Sequence, residues 1–415
     1  MKIPFRLLAA ATLFAFAAGA NAETVLTVQY PYPSLSRPVH EEIARQFKEI
    51  RPEVTIEYLR PAENHNEALQ HALRTSLTGT MPDVSFQGIH LARTLVERDL
   101  AVPLDDCFGP DLETLGFADW ALDMGRINGK TYGFPYGLTA PVLFVNEDLL
   151  KRAGVDVETP PTSWNELLAV SAKVEALDGN LVGLHYIWNL TGDFMFQTLL
   201  FSRGGSMLSP NEQRVAFDGE AGMRALETIK TFGQSGMPYM SFPQVNQAFA
   251  AGTVGMMANT TAFVTGLERQ IGDRFTMRLW PFPRDENGRL PAGGNIPIML
   301  TRDPAKLAAA CEYIRFVTGP VGQTIMVERI GYLTGNDLAL RDKRHLKDYV
   351  RNHPHYAWTL QQLPVLTNWY AFPSDNALKI MDVVHESMEA VFTGERTPAE
   401  AMPDMAQRVQ ALIDG

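Results

Sequence analysis

The chain is poor in what a nucleic-acid binder, a disulfide-scaffolded protein or a polytopic membrane protein requires. It has two cysteines, Cys107 and Cys311, in 415 residues. One pair in so long a chain is no disulfide framework, and two separate thiols or a single bridge both fit. Positive charge is scarce, with 36 Lys and Arg against 47 Asp and Glu and a formal net charge of −11. An acidic chain without Lys/Arg clusters argues against a nucleic-acid partner and against docking on anionic lipid. Beyond residue 22 no apolar run approaches the roughly 20 residues that span a bilayer. Internal repeats, low-complexity tracts and long polar linkers are lacking too.

Catalytic signatures are equally scarce. His40-Glu41-Glu42 and His385-Glu386 lack the second histidine of an HExxH zinc pair. Gly233-Gln234-Ser235-Gly236 has only a superficial likeness to the GxSxG elbow. Neither GxxxxGK[ST] nor GxGxxG occurs to cradle phosphates. No metal, no cofactor and no catalytic residue are therefore expected. The rival reading, an exported glycosidase, needs two carboxylates roughly 5–10 Å apart across a cleft. Asp193 and Glu147 are its first candidates.

What the chain does have begins at its start. Lys2 and Arg6 precede an apolar run, residues 7–18, and the segment ends in Ala20-Asn21-Ala22. A positive start, a short apolar middle and small residues two apart make a secretory signal cleaved after Ala22. No cysteine follows the cleavage site, so the mature protein is expected to be free in a periplasm rather than lipid-anchored. Losing Lys2 and Arg6 takes the formal charge from −11 to −13. The remaining chain is longer than one hydrophobic core usually supports, so two lobes are expected.

Periodicity then predicts α/β rhythm. Residues 25–30 and 54–58 read as strands, and 83–86 as a third short one. Between them Val39, Ile43, Phe47 and Ile50 recur at helical spacing after a Pro/Ser loop at 31–38, and residues 66–78 form a second helix. Strands follow at 131–135, 142–146, 254–257 and 296–300. Helices start at Glu147 and at the capped segment Thr162-Ser163-Trp164-Asn165-Glu166, and occupy 305–317, 377–392 and 398–413. Such alternation indicates βαβ units and a mainly parallel sheet.

Aromatic residues cluster at the turns: Tyr30, Tyr32, Tyr136, Trp188, Tyr332, Trp369 and Tyr370 lie beside small and amide-bearing residues. Sugars and polyols present flat C–H faces that rings cover and hydroxyl rims that amides and hydroxyls satisfy. Trp164 and Trp280 are assigned to the core.

The order of segments resembles the extracellular solute-binding proteins of bacterial ABC importers, in particular the large carbohydrate-binding group with its glycerol-3-phosphate and maltose-type members. The likeness rests on Phe134-Pro135-Tyr136 through Val145-Asn146, Ala153-Gly154-Val155, Pro160-Pro161 through Leu167, Phe249 through Met257, Gly293-Gly294-Asn295, Gly331-Tyr332-Leu333 and Val391 through Pro398. It implies a two-lobed periplasmic binding protein fold, each lobe a mainly parallel sheet flanked by helices, with ligand in the interlobe cleft. The first lobe would take residues 23–135 and 294–340, the second 136–293 and 341–415. The partners implied are a small sugar or polyol and the membrane permease, with the protein itself a monomer.

Ligands of open α/β sheets sit at the carboxyl ends of strands. Positions matching the family coincide with those ends: Tyr30, Tyr32, Gln87, His90, Tyr136 and Thr139, then Trp188, Asn189, Asp193, Asn259 and Thr260, and finally Gly294, Asn295, Tyr332, Trp369 and Tyr370. Glycerol-3-phosphate binders carry an arginine before the C-terminal helical pair, where it can clamp phosphate. Here Phe372-Pro373-Ser374-Asp375-Asn376 offers an acid instead. The expected ligand is therefore an uncharged carbohydrate or polyol, with glycerol-3-phosphate or a glycerophosphodiester as the alternative.

Overall fold

The computed structural model describes residues 23–109, 115–189, 192–373 and 375–415. The expected export segment, residues 1–22, lies outside the described residues. Twelve strands are described: β1 (Thr24–Gln29), β2 (Val54–Tyr58), β3 (Val84–Gly88), β4 (Arg126–Ile127), β5 (Lys130–Thr131), β6 (Gly137–Thr139), β7 (Pro141–Asn146), β8 (Val182–Tyr186), β9 (Val254–Thr260), β10 (Met277–Trp280), β11 (Leu290–Met299) and β12 (Leu366–Asn368). One sheet runs β12-β11-β3-β1-β2, with β6 also on β11. The other runs β10-β7-β9-β8, and β4-β5 is a small hairpin. These two sheets, flanked by helices, are the two expected lobes.

The expectation of mainly parallel sheets holds for the first sheet and is corrected for the second. β1 pairs parallel with β2 and β3, and β11 with β12, while β11 is antiparallel to β3 and β6. In the second sheet β7 is antiparallel to both β9 and β10, and only β8-β9 is parallel. The reason is the crossing of the chain. Strands of βαβ units, such as β1, β3, β8 and β9, run toward the cleft. β7 and β11 enter their sheets from the other lobe, so they start at the cleft and run away from it.

The expected lobe limits also differ from the strand boundaries. β6, just past residue 135, still belongs to the first sheet, and the chain enters the second at β7. All of β11 and the distant β12 lie in the first sheet.

Local sequence explains the elements. The Pro/Ser stretch expected as a loop opens the helix Pro33–Ile50, because proline at its first position has the required φ and lacks an N–H that would be unpaired there anyway. The strand expected at 131–135 shrinks to β5, since Gly133 and Pro135 cannot continue a ladder. The helix Trp164–Glu175 has a reciprocal capping box between Ser163 and Glu166, and Pro398–Asp414 one between Thr397 and Glu400. β7 is covered on both faces: Leu143 and Val145 join the large core, while Val142 and Phe144 pack with Val245, Phe249 and Met257 in a smaller one. Trp164 and Trp280 are buried, as assigned.

Cys107 and Cys311 are bridged, with Cα atoms 5.6 Å apart across a sequence separation of 204. The bridge ties the short helix Asp105–Phe108 to Pro304–Thr318 within the first lobe. Such a bond suits an oxidising compartment. Closing so long a loop restricts the unfolded chain by up to about 5 kcal/mol on the entropic model. The double variant Cys107→Ser/Cys311→Ser is expected to lose about 2–5 kcal/mol of unfolding free energy in urea titrations, and the native protein to show no titratable thiol.

Candidate ligand-binding cleft

A cavity of about 320 Å³ lies between the lobes, lined by Tyr32, Ser34, Leu35, His65, Thr139, Phe194, Phe242, Thr260, Ala262, Phe263, Gly293, Gly294, Tyr332 and Trp369. Its floor is where β6 meets β11. Gly294 has φ 132°, and a Cβ there would sit 1.9 Å from the Gly137 carbonyl oxygen, so only glycine lets these strands approach. Thr139 presents its hydroxyl beside Gly293. The crossing is secured just beyond, where the Ala140 N–H donates to Thr261 Oγ1 at 3.0 Å and the Thr261 N–H to the Ala140 carbonyl at 2.9 Å.

The first-lobe wall is comparatively polar. Tyr32, with φ 56°, precedes the helix Pro33–Ile50 in a left-handed conformation, which is strained for a bulky residue. That geometry sets its ring edge-on against His65, 4.9 Å away. Tyr332 follows Gly331, the left-handed cap of the helix Pro320–Ile330. The second-lobe wall is apolar except for Thr260 at the end of β9. Phe242 and Phe263 pack edge-to-face at 4.7 Å, and Phe194 meets Trp369 the same way at 4.8 Å. Among the described residues, no Lys, Arg, Asp or Glu lines the cavity.

Six of the expected residues thus reach the cavity: Tyr32, Thr139, Thr260, Gly294, Tyr332 and Trp369. Others support it from behind. Tyr30 stacks on His40 at 4.1 Å, and Tyr136 packs on Phe86. Gln87 donates to Ser85 Oγ, and Asn259 bonds Asn246 and the Thr260 N–H. His90 stacks flat on Trp369, and Asn295 pairs opposite Gly88 in β11. Asp193 accepts the Trp369 indole N–H at 3.0 Å and a bond from Gln197.

Three lie elsewhere. Trp188 packs among Tyr239, His385 and Phe392, Asn189 donates to the Met240 carbonyl, and Tyr370 donates to Glu212. Sequence reasoning missed His65, Phe194, Phe242 and Phe263. Only the adjacency of Phe194 to Asp193 gave a hint, because phenylalanines at helix starts read as core.

The two carboxylates of the glycosidase reading are occupied. Glu147 bonds Lys151 and Arg278, which hold it below the usual carboxylate range, while Asp193 serves Trp369. Neither lines the cavity. At the rim Arg93 holds both oxygens of Glu212 at 2.8 and 2.7 Å, and Tyr370 joins them. This clamp joins the helix Ala92–Glu97 of the first lobe to a loop of the second. A further cavity of about 270 Å³ lies beside the start of the helix Trp164–Glu175. Its Arg224 is paired with Asp285, and Arg203 bonds the Leu199 carbonyl and Thr228.

The matching family is the bacterial extracellular solute-binding proteins, over residues 42–355, and the chain belongs to it. A putative binding protein of Brucella abortus (strain 2308) is 24% identical over 98% of this chain and 97% of its own. Two solved structures share the fold. UgpB from Mycobacterium tuberculosis in complex with glycerophosphocholine has a TM-score of 0.82 at 18% identity, covering 93% of this chain and 98% of that one. Maltose-bound MalE3 of T. maritima has 0.78 at 18%, covering 94% and 100%. No helix among the described residues is long and apolar enough to cross a membrane.

Buried histidines make the fold acid-sensitive. Burial drives His40 down from 6.5 to about 3, and His65 and His185 to about 4. Below pH 6.5 the unfolded chain binds protons that the folded one refuses, so stability falls as pH drops from 6.5 toward 4. Asp193, raised by burial to about 6, acts in the opposite sense, since its folded form keeps a proton that the unfolded chain releases near 3.8. At pH 5 each histidine costs on the order of 2 kcal/mol, and Asp193 returns on the order of 1. The melting temperature is expected to fall between pH 7 and pH 5, and less so in His40→Phe.

Proposed function

We propose that this protein is the periplasmic substrate-binding component of an ABC importer, capturing a neutral carbohydrate or polyol and delivering it to the membrane permease. The observation that carries this reading is the interlobe cavity, which among the described residues is walled by six aromatic rings, dotted with hydroxyls and free of charged side chains. Rings cover the C–H faces of a sugar, while Thr139, Thr260, Ser34, Tyr32 and Tyr332 meet its hydroxyls. Export by the N-terminal segment, removed after Ala22, places the protein between two membranes as a freely diffusing monomer. Ligand held by both lobes favours the closed form, which is what couples capture to delivery. No bond is made or broken.

A second reading has one observation in its favour: a cage of aromatic rings also suits a quaternary ammonium, as in a glycerophosphocholine. Its phosphate would find no cation among the described lining residues.

A thermal-shift screen of neutral mono-, di- and trisaccharides, polyols, glycerol-3-phosphate and glycerophosphocholine tests both readings. A ligand at 100-fold excess over its dissociation constant adds about 2.7 kcal/mol to stability. Neutral sugars are expected to raise the melting temperature, with little dependence on salt. Shifts confined to the phosphate compounds would reverse the assignment. Thr260→Val keeps shape and removes one hydroxyl, so calorimetry should show a loss in affinity of roughly 5- to 10-fold.

A further inference from the structure

At the rim, the helix Ala92–Glu97 of the first lobe sets two arginines against acids of the second. Arg93 holds both oxygens of Glu212, its Nη1 and Nη2 donating at 2.8 and 2.7 Å. Tyr370, which follows β12 of the first sheet, donates to Glu212 Oε1 at 2.8 Å. One residue past the helix, Arg98 meets Asp375 at 2.6 Å. The Arg93 side chain is 16% exposed, less than that of any other arginine ion-paired among the described residues. A bidentate pair shielded from water carries weight, whereas Arg98 and Asp375, 42% and 58% exposed, add little.

Glu212 is held ready for this contact. It sits at φ 56°, a left-handed conformation strained for a residue with a side chain. Its turn imposes that angle: the Glu212 N–H donates to the Ser209 carbonyl at 2.8 Å, and the Ser209 N–H to the Arg214 carbonyl at 2.8 Å. Gln410 of the helix Pro398–Asp414 ties the turn to the second lobe. It accepts from the Val215 N–H and donates to the Gln213 carbonyl, both at 2.9 Å. Arg93 is prepared on its own side as well. Its Nε donates at 2.6 Å to Glu97, one helical turn further on.

We propose that Arg93, Glu97 and Glu212 form a two-position ionic latch that holds the lobes together over the cleft and lets them part. In the closed form the guanidinium bridges both acids. On opening its Nε stays on Glu97, while Glu212 leaves on its turn and enters water. Opening therefore breaks two charged hydrogen bonds and the Tyr370 bond, but it strands no cation without a partner, which would cost far more. The contact with Glu212 exists in the closed form alone, so it biases the lobes toward closure and slows release of whatever the cleft holds. The inference rests on a ligand between the lobes, as proposed above, but on no particular class of ligand.

The test uses Glu212→Gln and Arg93→Gln, which remove the charge from either side, and the double variant. Arg408→Gln, which breaks an ion pair with Glu386 inside the second lobe, is the control. The probe is whichever compound of the thermal-shift screen binds most tightly. Each single variant is expected to raise its dissociation constant roughly 5-fold by calorimetry, chiefly through faster release in stopped-flow traces. The double variant is expected to go no further than the worse single, because both remove one interaction. Small-angle scattering of the ligand-free protein is expected to give the latch variants a larger radius of gyration than the wild type. Arg408→Gln is expected to change none of these, and every variant to melt within about 2 °C of the wild type. An unchanged dissociation constant together with an unchanged radius overturns the latch, as do single effects that add in the double variant. If only phosphate compounds bind, the carbohydrate reading falls and the latch stands. If nothing in the screen binds, scattering alone decides, and equal radii overturn it.

Discussion

The structure depends on how closely β6 and β11 approach at the cleft floor. Gly294 lies so near the Gly137 carbonyl that no side chain fits between them. That contact joins two segments that have each just crossed or are about to cross between the lobes. It fixes the direction in which β7 and β11 leave the cleft, and hence the mixed pairing of both sheets. It also decides what can line the floor, since the glycines expose Thr139 and leave room for the rings of Tyr332 and Phe194 above it. A bulkier floor would fill the cavity from below.

Above that floor the two walls differ in chemistry, and the difference follows from what each lobe supplies. The first lobe contributes Tyr32, Ser34, His65 and Tyr332, all able to bond hydroxyls. The second contributes phenylalanines at the starts of helices and turns, with Thr260 the exception. Trp369 and the Arg93–Glu212–Tyr370 clamp connect the walls. A binding protein needs contacts of this kind. They must be strong enough to define a geometry and few enough for the lobes to part, because opening is limited by the free energy that ligand and interlobe contacts together supply.

Much of this was legible residue by residue. Local patterns announced β1, β2, β3, β7 and β9 and the helix capped by Ser163, since alternation, helical spacing and capping are short-range properties. Tyr32, Thr139, Thr260, Gly294, Tyr332 and Trp369 were reachable as strand-end residues with ligand chemistry. Trp188 carried the same signal and lies inside the second lobe, while His65 and Phe242 line the cleft with no signal beyond an ordinary helix start. Strand ends mark the cleft in general, but which neighbouring loops fold over it depends on packing between segments far apart in sequence.

The sequence by itself determined the α/β rhythm, the shortage of catalytic motifs and the family. All of these rest on composition, spacing or the order of short segments. The tertiary structure alone decided the antiparallel course of β7 and β11, the bond between Cys107 and Cys311, and the covering of His90 by Trp369. Each of these joins residues remote along the chain, and no local periodicity records a partner at that distance. The absence of charge around the ligand lies between the two. The missing Lys and Arg could be read at one loop, but only the folded cleft shows that no other described segment brings a charge in to replace them.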